Sequence, residues 1–381
     1  MKKKIICVVG TRPEAIKMAP VITELRRRNW ADVSVVGTGQ HREILRQSLK
    51  VFNIKMDIDL DLMVPNQTLA TITSNACKHL DDVLIEIGPD MVVVQGDTTT
   101  VLSAALTAFY RRVPVAHVEA GLRTHDYNNP FPEEMNRVVV GRLAQLHFAP
   151  TEASGSHLRT EGVNPTDIHI VGNTVIDALH SIAGYSREPN YSNAPSKMLI
   201  TCHRRENFGE GVNNLCEALQ QLLDLHPHLQ VTWPVHPNPN VRTTVENAFS
   251  GNSRVKLLPP ADYLEFVELL KDCDFVVTDS GGVQEEAPAL RKPVLVLREA
   301  TERPEAISAG VATLIGTEIS NIIAEVSRLI LDNQHYRQMS RGASPYGDGL
   351  ASTRIANIIG EYFGHDEIIP VTDWTSFKED N

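Results

Sequence analysis

Short apolar runs separated by longer stretches of helical period recur along this chain in two series, and few folds accommodate that pattern. Residues 5–9, 33–36, 91–94, 113–118, 146–149 and 168–171 form the first series. Residues 198–201, 230–234, 255–258, 275–278, 294–297 and 312–315 form the second. Runs that are apolar throughout, rather than alternating, are strands buried on both faces, and helices between them make βαβ units and parallel sheets. Between the series, residues 185–196 are rich in Ser, Pro, Asn and Tyr and read as a linker. The expected fold class is α/β, with two Rossmann-like doubly wound domains facing a central cleft. The expected divisions are residues 1–184, a linker 185–197, residues 198–350, and a segment 351–381. That last segment reads as a C-terminal helix packing back on the N-terminal domain, followed by an acidic tail. Such sheets bind ligands beyond the C-terminal ends of their strands, where the strand order reverses. The turns leaving each strand are therefore where chemistry is expected.

Charge narrows the class of ligand. The 381 residues carry a formal net charge of −11, so no basic face emerges and nucleic acid is excluded as a partner. A small anionic ligand would instead need a few placed cations. The five cysteines, Cys7, Cys77, Cys202, Cys216 and Cys273, are scattered without C-x-x-C spacing, which points to a reducing compartment. The apolar run after Lys2, Lys3 and Lys4 is too short for a signal peptide or a membrane span and reads as a first strand. The expected location is cytoplasmic.

The first strand turns into a helix through Gly10-Thr11-Arg12-Pro13-Glu14-Ala15-Ile16-Lys17. Proline starts a helix cleanly, and Arg12 and Lys17 place positive charge near its N-terminus, where a phosphate would sit. The second strand ends in Gly37-Thr38-Gly39-Gln40-His41-Arg42, which begins like a dinucleotide fingerprint but has Arg42 where the third glycine belongs. No NAD site is expected. Asp97 and Glu119 follow directly on strands and should lie at the rim of the first sheet. Glu133 and Glu134 follow prolines at a helix start, and simple helix-terminus charge accounts for one of them. Asp97 also suits an N-cap, but carboxylates converging on one rim suit acid–base work. His117-Val118-Glu119 resembles a fragment of a zinc deaminase, yet no Pro-Cys-x-x-Cys follows, so no metal is expected.

In the second series the first strand ends at His203-Arg204-Arg205, three basic side chains that suit a diphosphate. Cys202 and His203 are adjacent on a strand and point oppositely, which argues against a nucleophile pair. Val235-His236-Pro237-Asn238-Pro239 reads as a rigid loop at another strand end. Asp279-Ser280-Gly281-Gly282-Val283-Gln284-Glu285-Glu286 feeds a strand into a helix through small residues whose free amides invite a phosphate. Thr301-Glu302-Arg303-Pro304-Glu305 repeats the Arg-Pro-Glu arrangement of the first domain and offers Arg303 as a further cation.

Taken together, residues 10–20, 96–100, 117–123, 203–206, 279–288 and 301–305 resemble the non-hydrolysing UDP-N-acetylglucosamine 2-epimerases. The resemblance runs from Lys4 to about Tyr362. It implies a glycosyltransferase-B-like fold, a homodimer, and interconversion of UDP-GlcNAc and UDP-ManNAc for bacterial surface polysaccharide. No cofactor is implied, and no partner beyond UDP-GlcNAc, UDP-ManNAc and UDP. By resemblance Asp97, Glu119, Glu133 and His203 are catalytic, the three carboxylates sharing the proton transfers without a fixed assignment among them. Arg12, Lys17, Asp97, Glu119, His203, Ser280, Gly281, Gly282 and Arg303 are implied to contact the substrate. Glu286 is implied to hold the ribose, and Phe266 with the backbone at Ala261 the uracil; relatives often carry glutamine at the position of Ala261.

Gln40, Arg205 and His236 resemble a second UDP-GlcNAc site found in many bacterial relatives. Glu43 and Asn66 depart from the pattern of activated relatives at that site. The family's route is anti elimination of UDP to 2-acetamidoglucal followed by re-addition. A hydrolysing epimerase and a catalytically dead UDP-sugar sensor are the competing readings.

Overall fold

The computed structural model describes residues 1–39, 42–62, 64, 67–184, 194–204, 207–301, 303–341, 344–372 and 374. The chain divides into two compact units, Met1–Ser181 with Gly347–Asn381, and Ile182–Tyr346. The return to the first unit comes slightly before the sequence boundary at 350, because Asp348 pairs with Arg354 at 2.6 Å. The linker expected at 185–197 falls largely outside the described residues, and the contact division precedes it, after Ser181.

The first unit is built on strands β1 (Lys3–Val9), β2 (Ala31–Gly37), β3 (Ile58–Asp59), β4 (Met91–Gln95), β5 (Val115–Val118), β6 (Leu146–Ala149) and β7 (Ile168–Ile170). They form a parallel sheet in the order β3-β2-β1-β4-β5-β6-β7. Side chains alternate between two buried layers. Ile5, Cys7 and Val9 join Met91 and Val93 in one core, while Ile6 and Val8 join Val92 and Val94 in the other. Burial on both faces is why these strands read as continuous apolar runs. Strand β3 was not foreseen: it is two residues long and its aspartate interrupts any apolar run.

The second unit repeats the plan with β8 (Lys197–Thr201), β9 (Gln230–Pro234), β10 (Val255–Leu258), β11 (Phe275–Thr278), β12 (Val294–Val296) and β13 (Ala312–Leu314). Their order is β10-β9-β8-β11-β12-β13, again parallel. In each sheet the order reverses between two central strands, β1 and β4 in the first and β8 and β11 in the second. The turns leaving those strands are the ones carrying Arg12, Asp97, His203 and Ser280.

The last helix, Ala351–Tyr362, belongs to the first unit. Asp177 caps it by accepting hydrogen bonds from the Ala351 and Ser352 amides at 3.2 and 2.7 Å, and Ile355, Ala356 and Ile359 enter the core beside the helix Arg12–Arg27. Beyond it the chain stays docked: Arg354 donates to the Thr372 carbonyl at 2.8 Å and Asn357 to that of Ile369 at 2.8 Å. Among the described residues no helix is long and apolar enough to cross a membrane.

Candidate active site

On the first unit the β1 turn is shaped by a capping box. Thr11 caps the helix, and Glu14 accepts hydrogen bonds from the Gly10 and Thr11 amides at 2.7 and 2.6 Å. Arg12 projects from the first turn, half-buried, with no hydrogen bond or ion pair among the described residues. One turn further, Lys17 donates to both oxygens of Glu119 at 2.7 and 2.6 Å. Glu119 is 8% exposed, and Gln95 also donates to it. Its φ of 62° lies in the left-handed region, where a side chain costs about 1–2 kcal/mol. Such strain is tolerated where the surroundings over-determine it, commonly at functional sites.

Asp97 follows β4 beside Thr98, the N-cap of the helix Thr99–Tyr110. Arg137 donates to its carboxylate at 2.6 Å, and Asn136 holds its backbone carbonyl at 2.8 Å. Burial raises the proton affinity of Asp97, Arg137 lowers it, and Glu119 and then Lys17 and Glu133 act in alternating sense; the balance lies above the ordinary carboxylate value. Its side chain is still 26% exposed, so a substrate can reach it.

The two neighbouring glutamates separate clearly. Glu134 is 1% exposed and accepts from the Thr124 and His125 amides at 3.1 and 2.9 Å, with Arg137 at 3.3 Å. It ties a loop down. Glu133 is half-buried, and its charge is felt at Asp97. Asp97, Glu119 and Glu133 therefore share the rim of one sheet with two cations, Lys17 and Arg137. His117 Nε2 donates to the Gly96 carbonyl, 2.7 Å away, and burial pushes its imidazolium down to about 3.

On the second unit the organising residue is Asp279, fully buried at the end of β11. It accepts hydrogen bonds from the His203 amide at 3.0 Å, the Arg204 amide at 2.9 Å and the Asn207 side chain at 2.9 Å. The β8 turn is thereby pinned against the start of the helix Gly281–Ala289. His203 Nδ1 lies 3.3 Å from Asp279 and half its side chain is exposed. Ser280 caps the helix without using its side chain for a cap hydrogen bond. A Cβ built on Gly281 would come no nearer to any neighbouring atom than 3.9 Å, to Arg303, with Arg204 next at 4.0 Å. An open helix N-terminus flanked by two guanidinium groups is an arrangement suited to an anion.

Arg303 is held by Glu285, and its loop by Tyr346, whose hydroxyl donates to the Arg303 carbonyl at 3.2 Å. Glu286 is buried and accepts from the Tyr263 hydroxyl at 2.8 Å. Phe266 is half-buried on the helix Tyr263–Asp272, which starts just after Ala261. Cys202 is buried, and burial pushes its thiol up, away from a nucleophile's range.

His236 of the expected second site packs its ring 5.7 Å from Phe208 and accepts from the Asn238 amide at 3.2 Å. Gln40 and Arg205 lie outside the described residues, as does Asn66. Among the described residues no group of three or more His, Cys, Asp or Glu is placed to hold a metal. Gly37 ends β2 and Gly39 follows it, whereas a dinucleotide-binding turn follows the first strand of its unit. Sequence reading named Arg204 among the basic side chains that suit a diphosphate but passed over Glu14 and Arg137, whose charges read equally well as ordinary helix-face residues.

Comparison with known proteins fixes the class first. MurG of Acinetobacter baumannii shares the glycosyltransferase-B-like fold and only the fold: TM-score 0.63 at 14% identity, covering 95% of this chain and 100% of that one. The family follows from closer matches. A family model described as UDP-N-acetylglucosamine 2-epimerase matches residues 23–360. The UDP-N-acetylglucosamine 2-epimerase of Yersinia pestis is 48% identical over 364 residues, 92% of this chain and 97% of that protein. The crystal structure of UDP-GlcNAc 2-epimerase from Neisseria meningitidis bound to UDP-GlcNAc matches with TM-score 0.83 at 44% identity, covering 94% of this chain and 100% of that one. The chain belongs to the UDP-N-acetylglucosamine 2-epimerase family.

Proposed function

We propose that this chain interconverts UDP-GlcNAc and UDP-ManNAc without hydrolysis, by eliminating and re-adding UDP. The observation that carries the reading is the pair of dissimilar carboxylates at one rim. Glu119 is ion-paired with Lys17, while burial raises the proton affinity of Asp97. A base and an acid of the same residue type need such contrasting surroundings.

The C2 hydrogen of an N-acetylhexosamine is not beside a carbonyl, so it cannot simply be removed and returned. In the proposed route a carboxylate takes the C2 proton, and the C–H electron pair becomes the C1=C2 bond. The C1–O bond breaks in the anti sense, and UDP leaves with its electron pair, giving 2-acetamidoglucal. A second group then protonates C2 on the opposite face as UDP re-adds at C1. The route contains no hydride transfer and so calls for no NAD, and from the family resemblance we assign no metal. Asp97, Glu119 and Glu133 share the proton transfers, exchanging roles with direction, each worth roughly 10²–10⁴-fold.

Arg12, His203, Arg303 and the amides of Ser280, Gly281 and Gly282 stabilise the departing diphosphate, where charge builds in the transition state. Arg204, beside Gly281, joins them. Glu286 takes the ribose, and Phe266 with the Ala261 backbone takes the uracil. From the family resemblance we further assign a homodimer, a cytoplasmic location and a role in supplying ManNAc units for surface polysaccharide.

Proton NMR of the purified chain with UDP-GlcNAc tests the reading through its products. The expected result is an equilibrium mixture of the two UDP-sugars with UDP and the glycal at trace levels. Stoichiometric UDP with free ManNAc would mean a hydrolysing enzyme. Binding without any product would mean a sensor.

A further inference from the structure

Glu14 is a buried carboxylate that the proposed reaction does not use. In an ordinary capping box the glutamate lies at the surface and serves only its own helix. Here it is 2% exposed and reaches two other places. One oxygen accepts from the Gly10 amide as well as from that of Thr11, at 2.7 and 2.6 Å. The other accepts from the Thr98 hydroxyl, on the turn that leaves β4. Glu14 thus spans the point where the strand order of the first sheet reverses.

Each contact sits next to a residue of the proposed site. Thr11 precedes Arg12, and Lys17 lies one turn along the same helix, ion-paired with Glu119. Thr98 follows Asp97. The turn leaving β2 meets the β4 turn separately, through the Thr38 and Thr100 hydroxyls, 2.9 Å apart beside Gly10. Those hydroxyls hold the β2 and β4 turns together, while Glu14 joins the backbone beside Arg12 to the residue beside Asp97.

We infer that Glu14 is a positioning residue for the proposed epimerisation, setting the cation-bearing β1 turn against the acid-bearing β4 turn. The inference rests on the epimerase reading for its effect on rate. Its effect on the two turns stands independently. Displacing a reacting group by about 1 Å is enough to cost roughly 10²-fold in rate.

Three variants test this by steady-state kinetics and by hydrogen exchange of segments 8–17 and 95–101. Glu14→Gln keeps the length and one accepting oxygen, and the Thr98 hydroxyl can rotate to accept from its amide. Glu14→Asp keeps the charge and a capping oxygen but is one methylene short of Thr98. Glu14→Ala removes both contacts. Expected are faster exchange in both segments for the Asp and Ala variants and a kcat about 10²-fold lower, with UDP affinity within about threefold of the parent. Glu14→Gln should exchange like the parent and keep its kcat within about fivefold.

A lower Tm with parental kcat would make Glu14 a stability residue only and overturn the inference. So would parental exchange of segment 95–101 in Glu14→Asp. If the parent itself fails to turn over UDP-GlcNAc, the epimerase reading falls, while the exchange data still decide whether Glu14 joins the turns.

Discussion

Asp97 feels opposed influences: burial raises its proton affinity and the Arg137 guanidinium, 2.6 Å away, lowers it, with burial the stronger. The folded site therefore holds this proton more tightly than the unfolded chain does. Its contribution favours folding below the ordinary value of 3.8 and is lost as pH rises through the raised value. At neutral pH the charged Asp97 opposes folding. Asp97→Asn should then be more stable than the parent in urea at neutral pH, with the gap closing as pH falls toward 3.8. Its turnover should fall by roughly 10²–10⁴-fold. A variant that is less stable at neutral pH, or fully active, contradicts this account. Asp97 and Glu119 were legible in the sequence because each follows directly on an apolar strand. Arg137 was not, since its spacing from Glu133 and Glu134 reads equally well as a surface pair on a helix.

Two glycines show how differently elements use the same residue. At Gly10 an added Cβ would lie 2.3 Å from the Thr100 hydroxyl and 2.7 Å from that of Thr38, because three strand ends crowd there. Gly10→Ala should destabilise the first unit by about 1–3 kcal/mol in urea unfolding. At Gly281 the added Cβ would meet nothing closer than 3.9 Å, so Gly281→Ala should fold with stability within about 0.5 kcal/mol of the parent. That methyl group would nevertheless stand where the anion approaches, and calorimetry should show UDP binding weakened about tenfold, or 1.4 kcal/mol. Unchanged UDP affinity would move the anion site elsewhere. At this scale the sequence was most readable: the apolar runs located every strand but β3, which has too few residues and too much charge to show. The helix starts gave the turns. Which amides and guanidinium groups converge on Gly281 depended on Asp279 reaching back to the β8 turn, a contact between residues 76 apart.

At the scale of the whole molecule, acid stability depends on buried neutral imidazoles. His117 and His147 lie opposite each other on β5 and β6, and burial pushes them down to about 3 and about 4. The unfolded chain protonates both near 6.5, so stability is fully present above that pH and is lost as pH falls through the window below it. Each histidine contributes up to about 1.4 kcal/mol per pH unit. Urea unfolding followed by the emission of Trp30 and Trp374, both in the first unit, in a Trp233→Phe background should show that unit weakening between pH 6.5 and 5, and His147→Gln should reduce the slope. A flat profile would mean that these imidazoles are already charged in the folded unit. The central claim is chemical, and its most direct test is turnover of UDP-GlcNAc in D₂O followed by NMR. Removal and return of the C2 proton predicts deuterium at C2 of UDP-ManNAc from the first turnovers, and later in UDP-GlcNAc as well. UDP-ManNAc that forms with C2 still carrying its original hydrogen would contradict the elimination and re-addition route.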